Sequence, residues 1–123
     1  MTAIQSAAKI FETVSAHLLS QNAVSEDGTG TCRLRGDDGR RCAIGVLVMD
    51  EFYTEQLEGL GFAYYKADQD GPLPQALARS GIDAHDPLIV SLLNELEEIH
   101  DAGDTARWEE QLRGLGQEYG LSR

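Results

Sequence analysis

The chain has 123 residues, of which 41% are hydrophobic and 25% charged. That size and mixture fit one folded domain spanning 1–123 and exclude disorder throughout. The net charge of −11 argues against direct binding to nucleic-acid phosphates or to an anionic membrane surface. Residues 1–49 hold five acids and five bases, whereas residues 50–123 hold 16 acids and five bases, so the second part carries the whole excess. An acidic half of this kind suits a basic protein surface, including one that normally holds DNA or RNA. Solubility alone is the plainer explanation.

The first helix is expected over residues 3–20. Ile4, Ala7, Phe11, Val14 and Leu18 recur at helical spacing, and Thr2 with Gln5 fits a capping box. His17, near the end, reads as a surface histidine favoured by the helix dipole. The segment contains Lys9 and Glu12 and no long apolar core, so no signal peptide is expected, and no run nears the ~18 apolar residues of a membrane span. A cytoplasmic, reducing location with free thiols follows. Residues 25–30 form a loop whose glycines match no phosphate-binding spacing.

The organising stretch is Thr31–Met49, which holds both cysteines, four of the ten basic residues and the longest apolar run. Gly36-Asp37-Asp38-Gly39 is a strong turn signal, and it predicts a β-hairpin over about 31–45. A three-residue loop sets Leu34 opposite Cys42 and makes Cys32 and Cys42 diagonal neighbours, roughly 7–8 Å apart and too distant for a disulfide. A two-residue loop puts the cysteines on opposite faces. Residues 42–49 are apolar throughout and suit a strand or a short buried helix; a helix starting near Cys42 is the preferred reading. Cys42 at such an N-terminus, beside Arg40 and Arg41, would have a lowered pKa, although a buried inert thiol is the commoner case.

Asp50–Leu60 reads as a short helix with Phe52, Tyr53, Leu57 and Leu60 inward. Residues 62–72 read as a loop in which Tyr64 and Tyr65, beside Lys66, offer a contact surface. Pro72 and Pro74 open a helix over Leu73–Arg79. Asp86 and Pro87 start the clearest helix, about Pro87–His100, with Leu88, Ile89, Leu92, Leu93, Leu96 and Ile99 inward and Glu95, Glu97 and Glu98 on the solvent side. Gly103 ends it. A last helix, capped by Asp104, carries Trp108, Leu112, Leu115 and Tyr119 and is expected to fray beyond Gly116. The fold class expected is α+β: a small β-hairpin packed against four or five helices, mostly helical.

Several constellations bear on chemistry. Cys42 and His100, with Asp101 or Asp104 as orienter, have the residue types of a nucleophile pair. Cys32, Cys42, His85 and His100 have zinc-ligand types at a spacing that matches no common structural site. Asp68 with Asp70, and Asp101 with Asp104, match no calcium loop. No metal and no cofactor is therefore expected. Arg33, Arg35, Arg40 and Arg41 share an exposed face, where they either bind an anion or pair with the acidic half of the chain.

The pattern C-x-x-R-G-x-x-G-x-x-C-A-I-G at Cys32–Gly45 resembles a recurring group of small uncharacterised bacterial and phage or prophage proteins. The H-L-L-x-Q-N-A end of the first helix, His17–Ala23, and the I-H-D segment before a Trp-bearing helix, Ile99–Trp108, extend the resemblance over most of the chain. It carries over no catalytic residue and implies an accessory protein of a mobile element, many of which bind host proteins. The expected function is thus a non-enzymatic interaction protein that binds and inhibits a basic host protein surface, with nucleic-acid charge mimicry as its means. Its contacts would be drawn from Arg33, Arg35, Arg40, Arg41, Tyr64, Tyr65, Asp68, Asp70, Glu97 and Glu98, with no direct nucleic-acid or membrane binding. The alternative is a small enzyme or anionic-ligand-binding domain centred on Cys42, the arginines, His100 and Asp101. A toxin, antitoxin or other regulator is a third possibility.

Overall fold

A computed structural model describes residues 4–26, 33–58 and 71–121. Among them are four α-helices: α1 Ala7–Gln21, α2 Pro72–Arg79, α3 Pro87–Ala102 and α4 Trp108–Glu118. Helix α1 packs on both α3 and α4, and α3 packs on α4. Their shared core contains Phe11, Val14, Leu18, Leu92, Leu93, Leu96, Trp108 and Leu112, all buried. Burial of a side chain of that kind contributes about 1.5–3 kcal/mol.

The ends of the helices follow local chemistry. Ser6, rather than Thr2, caps α1, its hydroxyl accepting the N–H of Lys9 at 3.1 Å. The helix therefore starts later than the apolar stripe suggests, and Ile4 is exposed. Asp86 caps α3 by accepting the N–H of Leu88 at 2.9 Å, with Pro87 in the first turn. Helix α4 does not fray at Gly116. That residue is buried against Phe11. Gly120 then takes φ +70°, and Leu121 N–H returns to Gly116 O at 2.7 Å while Gly120 N–H reaches Gln117 O at 3.2 Å, the paired bonds of a glycine C-cap.

The expected β-hairpin is not formed, and the described residues contain no strand, so the α+β class gives way to a helical one. One antiparallel bridge, Arg35 with Arg41, is all that remains of the ladder. The turn itself is present. Asp37–Gly39 make a tight turn with Asp38 at φ +59° and Gly39 at φ +74°, and Gly36 N–H donates to Arg40 O at 2.9 Å. A ladder fails because side chains take its backbone groups. The Glu58 carboxylate accepts the N–H of Leu34 at 2.8 Å and of Arg35 at 3.1 Å. Gln21 accepts the N–H of Arg41 at 2.8 Å, and both Gln21 and His17 donate to Arg41 O at 2.9 Å. His17 is thus half-buried and holds the loop onto α1 instead of facing solvent.

After Cys42 the chain makes one helical turn, Gly45–Leu47, too short for a helix proper. Gly45 is required there, since a Cβ would lie 1.9 Å from the carbonyl oxygen of Leu34. The expected helix over 50–60 is instead two single turns, Asp50–Phe52 and Glu55–Leu57, separated by extended Tyr53 and Thr54. Helix α2 ties back through Ser80, whose hydroxyl donates to Ala76 O at 2.8 Å and accepts Met49 N–H at 3.0 Å. No helix among the described residues is long and apolar enough to cross a membrane.

Candidate functional site

Three features gather the chemistry-bearing side chains: a buried polar link on α3, an arginine–carboxylate network, and an acidic face on α3 and α4.

The link begins with Glu97. It was expected on the solvent side, but it lies four residues from Leu93 and three from His100 on the buried stripe of the helix, and its side chain is only 13% exposed. The Cys42 thiol donates to Glu97 Oε2 at 3.2 Å, and Gly45 N–H donates to Cys42 Sγ at 3.2 Å. Burial, followed by the facing Glu97 charge, holds the thiol well above its usual pKa. This is the reverse of the activated thiolate that Arg40 and Arg41 suggested, because burial and the facing carboxylate disfavour the charged form. Burial first, and Asp101 second, push the Glu97 carboxyl up to about 7.

His100 is wholly buried, with its ring stacked on Trp108 at a centroid distance of 6.0 Å. Ser25 N–H donates to Nε2 at 2.9 Å. The proton of the neutral ring therefore sits on Nδ1, which faces Asp101 Oδ1 at 2.8 Å and Glu97 Oε1 at 3.4 Å. The predicted grouping of Cys42, His100 and Asp101 is thus brought to one place, but Glu97 stands between thiol and imidazole. Neither ring nitrogen accepts the thiol proton, so no nucleophile pair forms.

Among the described residues, Glu97, His100 and Asp101 are close enough to share an ion. Both nitrogens of His100 are already committed, and a metal on Nδ1 would leave the ring without a proton while Nε2 still accepts from Ser25. The donors therefore fit a hydrogen-bonded link better than a metal centre. His85 is exposed on the loop before α3, outside this group. Cys32 lies outside the described residues, as do Tyr64, Tyr65, Asp68 and Asp70.

The arginines pair with the acidic segment that follows them. Arg33 forks onto Glu55 at 2.9 and 3.1 Å and approaches Glu58 at 3.6 Å. Arg35 reaches Asp50 at 2.7 Å and Val48 O at 3.0 Å, with its guanidinium 4.3 Å above the Tyr53 ring. Arg41 meets Asp50 at 3.2 Å. Tyr53 also donates to Glu58, and burial together with that carboxylate pushes the Tyr53 hydroxyl up to about 12. Arg40 takes a half-buried position in the same loop. Glu58 and Ser25, the two residues that organise this region, were not anticipated. Most of their partners are distant in sequence, among them Leu34 and Arg35 for Glu58 and His100 for Ser25, and neither position belongs to a periodic pattern.

The third feature is the outer side of α3 and α4 together with the connection between them. Glu98, Asp104 and Glu118 are exposed there and have no ion-pair partner among the described residues. Glu95 accepts the hydroxyl of Tyr119.

Fold and site thus define a small helical protein with a buried polar link and an acidic surface. A scan against protein-family models and searches of curated proteins and of solved structures return no match.

Proposed function

We propose that the protein is a non-enzymatic interaction protein of phage or prophage type, which docks the acidic face of α3 and α4 on a basic host protein surface and competes there with nucleic acid. The observation that supports this reading is how the charges are cancelled. Arg33, Arg35 and Arg41 neutralise Asp50, Glu55 and Glu58. Residues 83–121 hold ten carboxylates against Arg107 and Arg113, and both of these pair on the α4 segment, with Glu110 at 3.7 Å and Glu109 at 3.0 Å. The excess negative charge is thereby concentrated on α3, α4 and the turns beside them, where it steers a basic partner and repels acidic ones.

The reading centred on Cys42, the arginines and His100 has less support. The thiol is buried with its pKa raised, and three of the four arginines already bind carboxylates.

The test is affinity purification of the full chain from host cells at low and high salt, beside a variant carrying Glu98→Gln, Asp104→Asn and Glu118→Gln. A basic partner should be retained at low salt, released as salt rises, and missed by the variant. A partner held equally at both salts and by both proteins would count against the reading.

A further inference from the structure

A groove of about 550 Å³ lies between α3 and α4. Its apolar lining comes from Ile99, Ala102 and Leu115, with Gly114 adding no side chain. Its polar lining comes from Glu95, Glu98 and Glu118, and from Gln111, whose amide oxygen is buried without a hydrogen-bond partner among the described residues. Glu95 is engaged by Tyr119, which leaves Glu98 and Glu118 as the exposed acceptors.

An apolar wall beside unpaired acceptors is the complement of a long basic side chain, which lays its methylene stem on apolar surface and keeps its charged head among polar groups. The acceptors favour arginine over lysine. A guanidinium presents five donors in a planar fork, enough for two carboxylates at once, whereas an ammonium acts as a compact point charge. We propose that the groove between α3 and α4 receives an arginine side chain of the basic partner and anchors the acidic face to it. The proposal rests on the docking reading above and locates its central contact. Buried arginines are frequent anchors of protein interfaces.

The test is an NMR titration of the ¹⁵N-labelled full chain with the peptide acetyl-Gly-Leu-Arg-Leu-Gly-amide, with its citrulline and lysine counterparts as controls. Saturable shifts should cluster at residues 95–102 and 111–118, be weaker for lysine and vanish for citrulline. Glu98→Gln and Glu118→Gln should each weaken binding about two- to five-fold, the range of an exposed ion pair. Gly114→Leu decides whether the groove matters. Gly114 lines the groove and a Cβ there meets nothing within 4 Å, so a leucine fits without a clash or a change of charge, and by obstructing the groove it should abolish the clustered shifts. A thermal melt of Gly114→Leu, with Gly114→Ala as the milder variant, confirms that the helix is intact.

Shifts scattered over Asp83, Asp86 and Glu110, or binding to Gly114→Leu as tight as to the parent, would overturn the groove while leaving the acidic face as the docking surface. A host partner captured independently of salt would overturn the docking reading itself, and the groove with it.

Discussion

The backbone N–H of Ser25 donates to Nε2 of His100 at 2.9 Å, joining residues 75 positions apart in a fully buried bond. The bond fixes the imidazole tautomer and holds the segment after α1 against α3. Ser25 extends the tie, with its carbonyl accepting Arg33 N–H at 3.0 Å and its hydroxyl donating to Arg40 O at 3.2 Å. His100→Ala would orphan a buried donor and open a cavity beside Trp108. It should cost about 3–4 kcal/mol, whereas His100→Gln, which keeps an acceptor, should cost less. Urea unfolding measures both. An alanine variant within about 0.5 kcal/mol of the parent would contradict a structural role for the bond.

Glu97 gives this link a pH dependence. Its carboxyl is raised from 4.5 to about 7 in the folded chain. Between those values the folded state keeps a proton that the unfolded state has released, so the residue costs stability as pH rises. The cost is absent below about pH 4.5 and reaches about 3 kcal/mol above pH 7. Glu97→Gln should therefore gain on the parent as pH climbs through that window. Chemical denaturation from pH 4 to pH 8 shows the trend, and a difference between the two proteins that stays constant with pH would refute it.

The Cys42 thiol is buried, with its pKa raised. In a Cys32→Ser background, iodoacetamide at pH 8 should label the native protein at least about a hundred-fold more slowly than the urea-unfolded chain, since the thiolate is the reactive species and reaching it requires opening. Equal native and unfolded rates would show that the thiol is accessible.

Two glycines should respond in opposite directions to alanine. At Gly45 the new methyl would lie 1.9 Å from Leu34 O, so the turn must move and stability should fall by about 2–3 kcal/mol or more. At Gly114 the methyl enters open space, and the helix should gain up to about 1 kcal/mol. Thermal melts distinguish the two, and a neutral Gly45→Ala would show that Leu34 does not pack as described.

Which parts of the fold were legible in the sequence follows from the range of the forces involved. Helix α3 was readable because Asp86, Pro87 and Gly103 mark its ends and Ile89, Leu92, Leu93 and Leu96 repeat along it, all local signals. The turn at Gly36–Gly39 was readable for the same reason. The hairpin around it was not, because Glu58, Gln21 and His17 reach in from elsewhere and take the N–H and C=O groups that a ladder needs. Proximity of Cys42, His100 and Asp101 was suspected from residue type alone. The Glu97 that separates them could have been found from its place on the stripe of Leu93 and His100, had charge not been read as exposure. Pairing of the arginines with the acidic half was one of the two readings open to the sequence, since opposite charges 9 to 25 residues apart need only a compact chain to meet.

In the proposed function, uncancelled carboxylates at α3 and α4 attract a basic partner. The most direct test is the dissociation constant of the purified partner complex across a salt series, for the parent and for the Glu98→Gln, Asp104→Asn, Glu118→Gln variant. The parent should weaken steeply with salt, and the variant should be both weaker and flatter in slope. Coincident lines for the two proteins, or a constant indifferent to salt, would contradict it.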